Sequence, residues 1–248
     1  MDAQSVVVVI VAIVAGGLFK GATGLGLPLV AIPIMASTVG LPYAISIMIV
    51  PILVSNIWQV WEFRRAREDP KLGFLPWFLV LAGVGVATGT LFLKLLPADV
   101  LALILGCGLL LYFAFRLMRP HFVLTTRHAK RLAAPMGLLS GLLHGATGVS
   151  GPISIPFIHA MRLDRPAHIL AVSSLFLVLA VVQLPSLFVA GITRLDWLAH
   201  GVVALLPLAA SMPVGQWLAR RFSPRTFDYV ILAFLGLMGT KMVLSAIL

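Results

Sequence analysis

The stretch FKGATGLGLPLVAIP, residues 19–33, returns at residues 143–157 as LHGATGVSGPISIPF. Gly21, Thr23, Gly24 and Pro28 recur 124 residues later as Gly145, Thr147, Gly148 and Pro152, half the length of the 248-residue chain. Each copy has an ionisable side chain just before the Gly-Ala-Thr-Gly string, Lys20 in the first and His144 in the second. Each string interrupts an apolar run. Glycine lets the backbone leave the helix and approach neighbours closely, and a proline four residues later suits the first turn of a new helix. The reading is therefore a helix, a break and a short helix, made twice.

The apolar runs settle the environment. Val6–Leu18, Tyr43–Trp61, Phe74–Leu93, Val100–Phe115, Ile169–Ala190, Trp197–Leu218 and Tyr229–Leu248 are almost uncharged. Several reach the roughly 20 residues a helix needs to cross the hydrocarbon core. Charged residues make up 10% of the chain and mean hydropathy is +1.08, whereas a soluble domain carries about 25% charged residues. The fold class is all-α, a polytopic transmembrane bundle. The N-terminus opens Met-Asp-Ala-Gln without a basic region, so no cleaved signal peptide is expected. Cys107 is the single cysteine and lies in an apolar span, so no disulfide is expected.

The likeness between halves continues beyond the breaks. Asn56 answers Gln183, GTLFLK at 89–94 answers GQWLAR at 215–220, and LGCGLLL at 105–111 answers AFLGLMG at 233–239. Each half reads as an apolar helix, a Gly-rich break, a short segment and three longer helices. The expected organisation is a first repeat at 1–118, a basic linker at 119–131 and a second repeat at 132–248, all in one membrane domain.

Charge orients the halves. Fourteen of the eighteen Lys and Arg residues fall in four groups: Arg64 to Lys71, Arg116 to Arg131, Arg162 with Arg165, and Arg220 to Arg225. The loops near 38–42, 94–99 and 191–196 hold almost none. An odd number of crossings per half puts all four groups on one side, as the positive-inside rule requires. The halves are then inverted repeats, with the basic loops cytoplasmic and both termini periplasmic. Inverted repeats are common in secondary transporters, whose substrate sites lie near the midplane at the repeat interface. The short segments Leu27–Thr38 and Pro152–Met161 are too short to span as helices. We read them as arms of re-entrant hairpins whose tips meet centrally; a full crossing gives the same parity. The net charge of +10 is assigned to orientation against anionic membrane lipid rather than to nucleic acid.

The chemistry of the tips points to an anion. An ionisable residue at membrane depth is a functional-site candidate by default, which selects Lys20 and His144. Gly21, Gly24, Gly145 and Gly148 free the N-terminus of the following short helix, whose N–H groups and dipole suit an anion. Thr23, Thr147, Ser150 and Ser154 offer hydroxyls, with back-bonding to helix carbonyls as the plainer role. Asn56 and Gln183 stand at matching places in long spans, as polar lining or interhelical glue. Ser46, Ser173 and Ser174 are weaker candidates for close packing. All eight acids, Asp2, Glu62, Glu68, Asp69, Asp99, Asp164, Asp196 and Asp228, lie near loops or span ends, whereas a cation carrier usually places one mid-span. His144, with a reference pKa near 6.5, is a candidate carrier of a coupling proton. The histidines 121, 128, 144, 159, 168 and 200 lack metal-ligand spacing; no metal or cofactor is expected.

With these residues on view the chain resembles the TauE/SafE family of sulfite exporters, also called the toluene-sulfonate uptake permeases. The paired Gly-Ala-Thr-Gly segments, the half-chain repeat and the length carry the likeness, which covers essentially the whole chain. It implies transport of sulfite, sulfoacetate or other organosulfonates across the bacterial inner membrane, with export the expected direction. The first copy departs from the second at Gly26-Leu27, which stands where the second has Ser150-Gly151. A passive anion channel on the same hairpins and a structural or receptor role are the alternatives. Gly148-Val149-Ser150-Gly151 also spells the nucleophile string of an intramembrane serine protease. Such an enzyme needs a histidine base, and Gly26 in the twin position explains the string as part of a duplicated hairpin. No catalytic residue is expected.

Overall fold

The computed structural model describes residues 3–24, 26–119, 122–221 and 224–247, with side chains omitted at 224–228. Asp2 and His121 lie outside the described residues, as do the side chains of Arg225 and Asp228. Among the described residues all regular structure is helical. The helices are α1 Ala3–Thr23, α2 Leu27–Val39, α3 Leu41–Glu62, α4 Leu75–Leu95, α5 Ala98–Met118, α6 Thr126–Thr147, α7 Gly151–His159, α8 Arg165–Ala190, α9 Leu195–Val203, α10 Leu205–Arg221 and α11 Pro224–Ile247. Two 3-10 turns, Arg64–Glu68 and Pro70–Phe74, connect α3 to α4. Asp69 begins the second of them by accepting from the Lys71 amide at 2.8 Å.

Among the described residues seven segments are long and apolar enough to cross a membrane: Ala3–Thr23, Leu41–Glu62, Pro70–Leu95, Ala98–Met118, Arg165–Ala190, Leu195–Arg221 and Tyr229–Ile247. The sixth combines α9 and α10, so the long span expected at 197–218 is interrupted at Ala204. Helix α6 is not among the seven. Its first turns carry Arg127, His128, Lys130 and Arg131, and its last turns are rich in glycine, with Ser140 and His144 between.

The short helices begin where the repeat puts them. Gly24 (φ 79°) and Gly148 (φ 75°) are left-handed, a conformation glycine adopts without the Cβ penalty. Their amides close the preceding helices by donating to the carbonyls of Lys20 (2.7 Å) and His144 (2.6 Å). Pro28 and Pro152 then stand in the first turns of α2 and α7.

The chain forms two compact units. The first comprises Met1–Pro51, Leu96–Phe113 and Thr193–Leu248; the second comprises Ile52–Leu95 and Ala114–Ile192. In the first unit α1 lies along α10. A Cβ built on Gly21 would fall on the Met212 carbonyl oxygen, and one on Gly215 on that of Leu18. In the second unit α6 lies along α4. A Cβ on Gly145 would fall on the Val86 carbonyl, and one on Gly89 on that of Leu142. Gly137 and Gly141 extend the same stripe against the carbonyls of Phe78 and Ala82. Lipid tails give apolar helices no hydrophobic reason to associate. Small residues at every fourth position bring the backbones together instead.

These contacts come in matched pairs. Gly21 and Gly145, and Leu18 and Leu142, are 124 residues apart, while Gly89 and Gly215, and Val86 and Met212, are 126 apart. Each unit thus joins the broken hairpin of one half of the sequence to the long helix before the last in the other half.

Candidate functional site

The candidate residues fall into both units. Lys20, Gly21, Thr23 and Gly24 belong to the first; Asn56, His144, Gly145, Thr147, Gly148, Ser150, Ser154 and Gln183 belong to the second.

In the first unit Lys20 occupies the last turn of α1 and is 3% exposed. Thr23 donates to the Phe19 carbonyl one turn back, at 2.9 Å. Gly21 is held against α10, and Gly24 supplies the left-handed turn. The two glycines therefore do different work: one admits a neighbouring backbone and the other ends the helix.

The second unit gathers more. Gln183 on α8 donates through Nε2 to the carbonyls of His144 (3.3 Å) and Gly145 (3.4 Å), tying the last turn of α6 to α8. This is the interhelical role foreseen for a polar residue in a span, satisfied here by backbone oxygens at a helix end. The His144 side chain is 1% exposed, with the Phe176 ring centroid 6.1 Å away. Its Nδ1 has no hydrogen-bond partner among the described residues. Thr147 donates to the Leu143 carbonyl at 2.6 Å and accepts from the Val149 amide at 3.3 Å, so it holds the break closed on both sides. Ser154 reaches back to the Ser150 carbonyl at 3.0 Å, with the two hydroxyl oxygens 3.4 Å apart. Asn56 donates to the Ile52 carbonyl at 2.7 Å.

Two consequences bear on anion binding. The hydroxyl hydrogens of Thr23 and Thr147 point at helix carbonyls, so either must leave its carbonyl before it can donate elsewhere. At the start of α7, Pro152 brings no N–H, and the amides of Ile153 and Ser154 both turn to the Ser150 carbonyl at 3.0 Å. The helix start offers an anion fewer amides than a regular N-terminus does.

Sequence reasoning missed Ser140. Its hydroxyl is fully buried and has no partner among the described residues. The available signal was its place four residues before His144, one turn along the same helix face. It also missed that Ser173 donates to Gln59 Oε1 at 2.9 Å, which pins α8 to the end of α3 within this unit.

Among the described residues no hydrogen bond joins Ser150 of the GVSG string to a histidine. Ser150 contacts Ser154, the Nδ1 of His144 is unbonded, and His200, in the other unit, engages the Tyr43 hydroxyl through Nδ1 at 2.8 Å.

The chain matches the family described as Sulfite exporter TauE/SafE over residues 8–242. It belongs to that family. No curated protein and no solved structure shows a match to the chain. TauE/SafE proteins are membrane transporters rather than enzymes, and the seven apolar segments agree with a multi-pass member. The glycine breaks at 21–28 and 145–152 both lie inside the matched region, so the repeat belongs to the TauE/SafE part of the chain.

Proposed function

We propose that this TauE/SafE protein is a secondary transporter that exports small sulfur-containing anions, sulfite or an organosulfonate, across the inner membrane. Transport proceeds by alternating access, and the anion binds at the Gly-Ala-Thr-Gly breaks. Lys20 supplies positive field, while His144 carries a coupling proton. The halves are inverted repeats with the basic loops cytoplasmic.

One observation carries the reading. The buried polar side chains among the described residues are an amine, an imidazole, hydroxyls and carboxamides, with no carboxylate. A site for a cation would need the reverse. Lys20 and His144, the two ionisable members of that set, precede the two left-handed glycine turns at equivalent positions. The matched contacts of Gly21 and Gly145 support a duplicated scaffold.

The test is flux. The full chain, reconstituted in liposomes, is loaded with radiolabelled sulfite and given a proton gradient. Accumulation of sulfite against its own gradient is the expected result. Flux that only runs downhill supports the channel on the same hairpins, and absence of sulfite or sulfonate flux removes the substrate assignment.

A further inference from the structure

The Ser140 hydroxyl and His144 Nδ1 are the two unpartnered buried polar atoms of α6, in residues 0% and 1% exposed. They stand one turn apart, where side chains at i and i+4 are neighbours. Burying a hydroxyl without a partner costs folding free energy, and such atoms in a native protein call for an explanation, a bound water or ion among them. The same unit shows that a helix carbonyl can serve instead. Thr147 uses Leu143 and Thr90 uses Val86, each four residues back. Ser140 makes no such bond to Met136.

The duplicated hairpin gives an independent comparison. The positions 124 residues before Ser140, Ser150 and Ser154 are Gly16, Gly26 and Val30. The first hairpin turns at the matching Gly24 without any of the three hydroxyls, and adds a second left-handed glycine, Gly26 (φ 75°), where the second hairpin has the right-handed Ser150 (φ −98°). A Cβ on Gly16 would meet Leu27 and Ala31 at the start of α2. In the 124-residue register Ser140 and Gly151 stand where the first hairpin has Gly16 and Leu27.

We infer that Ser140 is a binding residue for the transported oxyanion. Its hydroxyl and the Nδ1–H of His144 donate to oxygens of one small sulfur oxyanion at the second break. This rests on the sulfur-anion reading above. It makes the second hairpin a hydroxyl-rich oxyanion site in its own right.

Sulfite titrated into the full chain in detergent, followed by calorimetry, tests it. Ser140→Ala should weaken binding about tenfold, the range of a lost bond to a charged group, while the melting temperature stays level or rises because an unpaired hydroxyl has gone. Ser140→Cys keeps the volume with a weak donor and should also weaken binding; it carries the test if the alanine variant folds poorly. If both variants bind sulfite within twofold of the parent, the hydroxyl holds water or nothing, and the inference fails while the sulfur-anion reading stands. A fall in melting temperature with unchanged affinity has the same meaning. A parent that binds no sulfite or sulfonate removes the reading itself, and this inference with it.

Discussion

Gly145 faces the carbonyl oxygen of Val86 so closely that a Cβ has no room, and Gly21 makes the matching contact with Met212. The first glycine of each Gly-Ala-Thr-Gly string is where two helix backbones touch. An added methyl must push α6 from α4, or α1 from α10. Gly145→Ala and Gly21→Ala should each destabilise by about 1–3 kcal/mol, the usual cost of overpacking. Gly191 is the control: it is left-handed (φ 71°) with nothing within 4 Å of an added Cβ. Gly191→Ala should cost only about 1–2 kcal/mol of backbone strain and leave anion binding unchanged, whereas the helix-contact variants should also lose transport. Thermal unfolding in detergent beside liposome flux checks both.

Thr147 accepts from an amide as well as donating to a carbonyl, and so does more than a back-bonded threonine. Thr147→Val orphans the Val149 N–H and should cost about 1–3 kcal/mol of stability. Thermal unfolding of Thr147→Val and Thr147→Ser decides it. Serine keeps the hydroxyl and should recover most of the loss; equal losses would mean that the methyl group, not the hydroxyl, supports the break.

Lys20 is the charged side chain of the first break. Lys20→Met keeps the apolar length and deletes the charge. It should weaken sulfite binding about tenfold or more, as expected for a lost charged donor, while Lys20→Arg retains part of the affinity. A Lys20→Met protein that folds and exports sulfite like the parent would place the positive field elsewhere.

Hydrolase chemistry at Ser150 should be absent. A serine-directed fluorophosphonate should leave Ser150 unlabelled, as read by mass spectrometry of the intact chain, because among the described residues no hydrogen bond joins its hydroxyl to a histidine.

The orientation of the halves is tested by cysteine accessibility in intact cells. Cys107 is exposed and must first be replaced by serine. Single cysteines in the 62–72 and 191–196 loops should then label from opposite faces; labelling from the same face would sink the inverted arrangement.

Much of this molecule is written locally. Span length and hydropathy belong to consecutive residues, so the apolar segments could be read directly. The breaks could be placed at the two Gly-Ala-Thr-Gly strings, because the penalty that selects glycine for such a turn acts within one peptide unit, but that Gly24 and Gly148 rather than Gly21 and Gly145 turn left-handed came from the fold. The interruption at Ala204 was missed although Gly201 and Pro207 flank it: Pro207 has no N–H for the Val203 carbonyl and stands in the first turn of α10. Nor could the partners of the break residues be found from the string alone. Gly21 looks like a loosened backbone in sequence, and only the packing of α1 on α10 makes it a contact point. Gln183 reads as one polar residue in a greasy span until α8 brings it to the carbonyls of His144 and Gly145. Ser140 shares a helix face with His144 in sequence, but a serine in a helix ordinarily bonds its own backbone, and only the fold shows that this one does not. Local rules decide where helices start and stop. Which polar atoms find partners depends on residues far apart in the chain, and that is decided by packing.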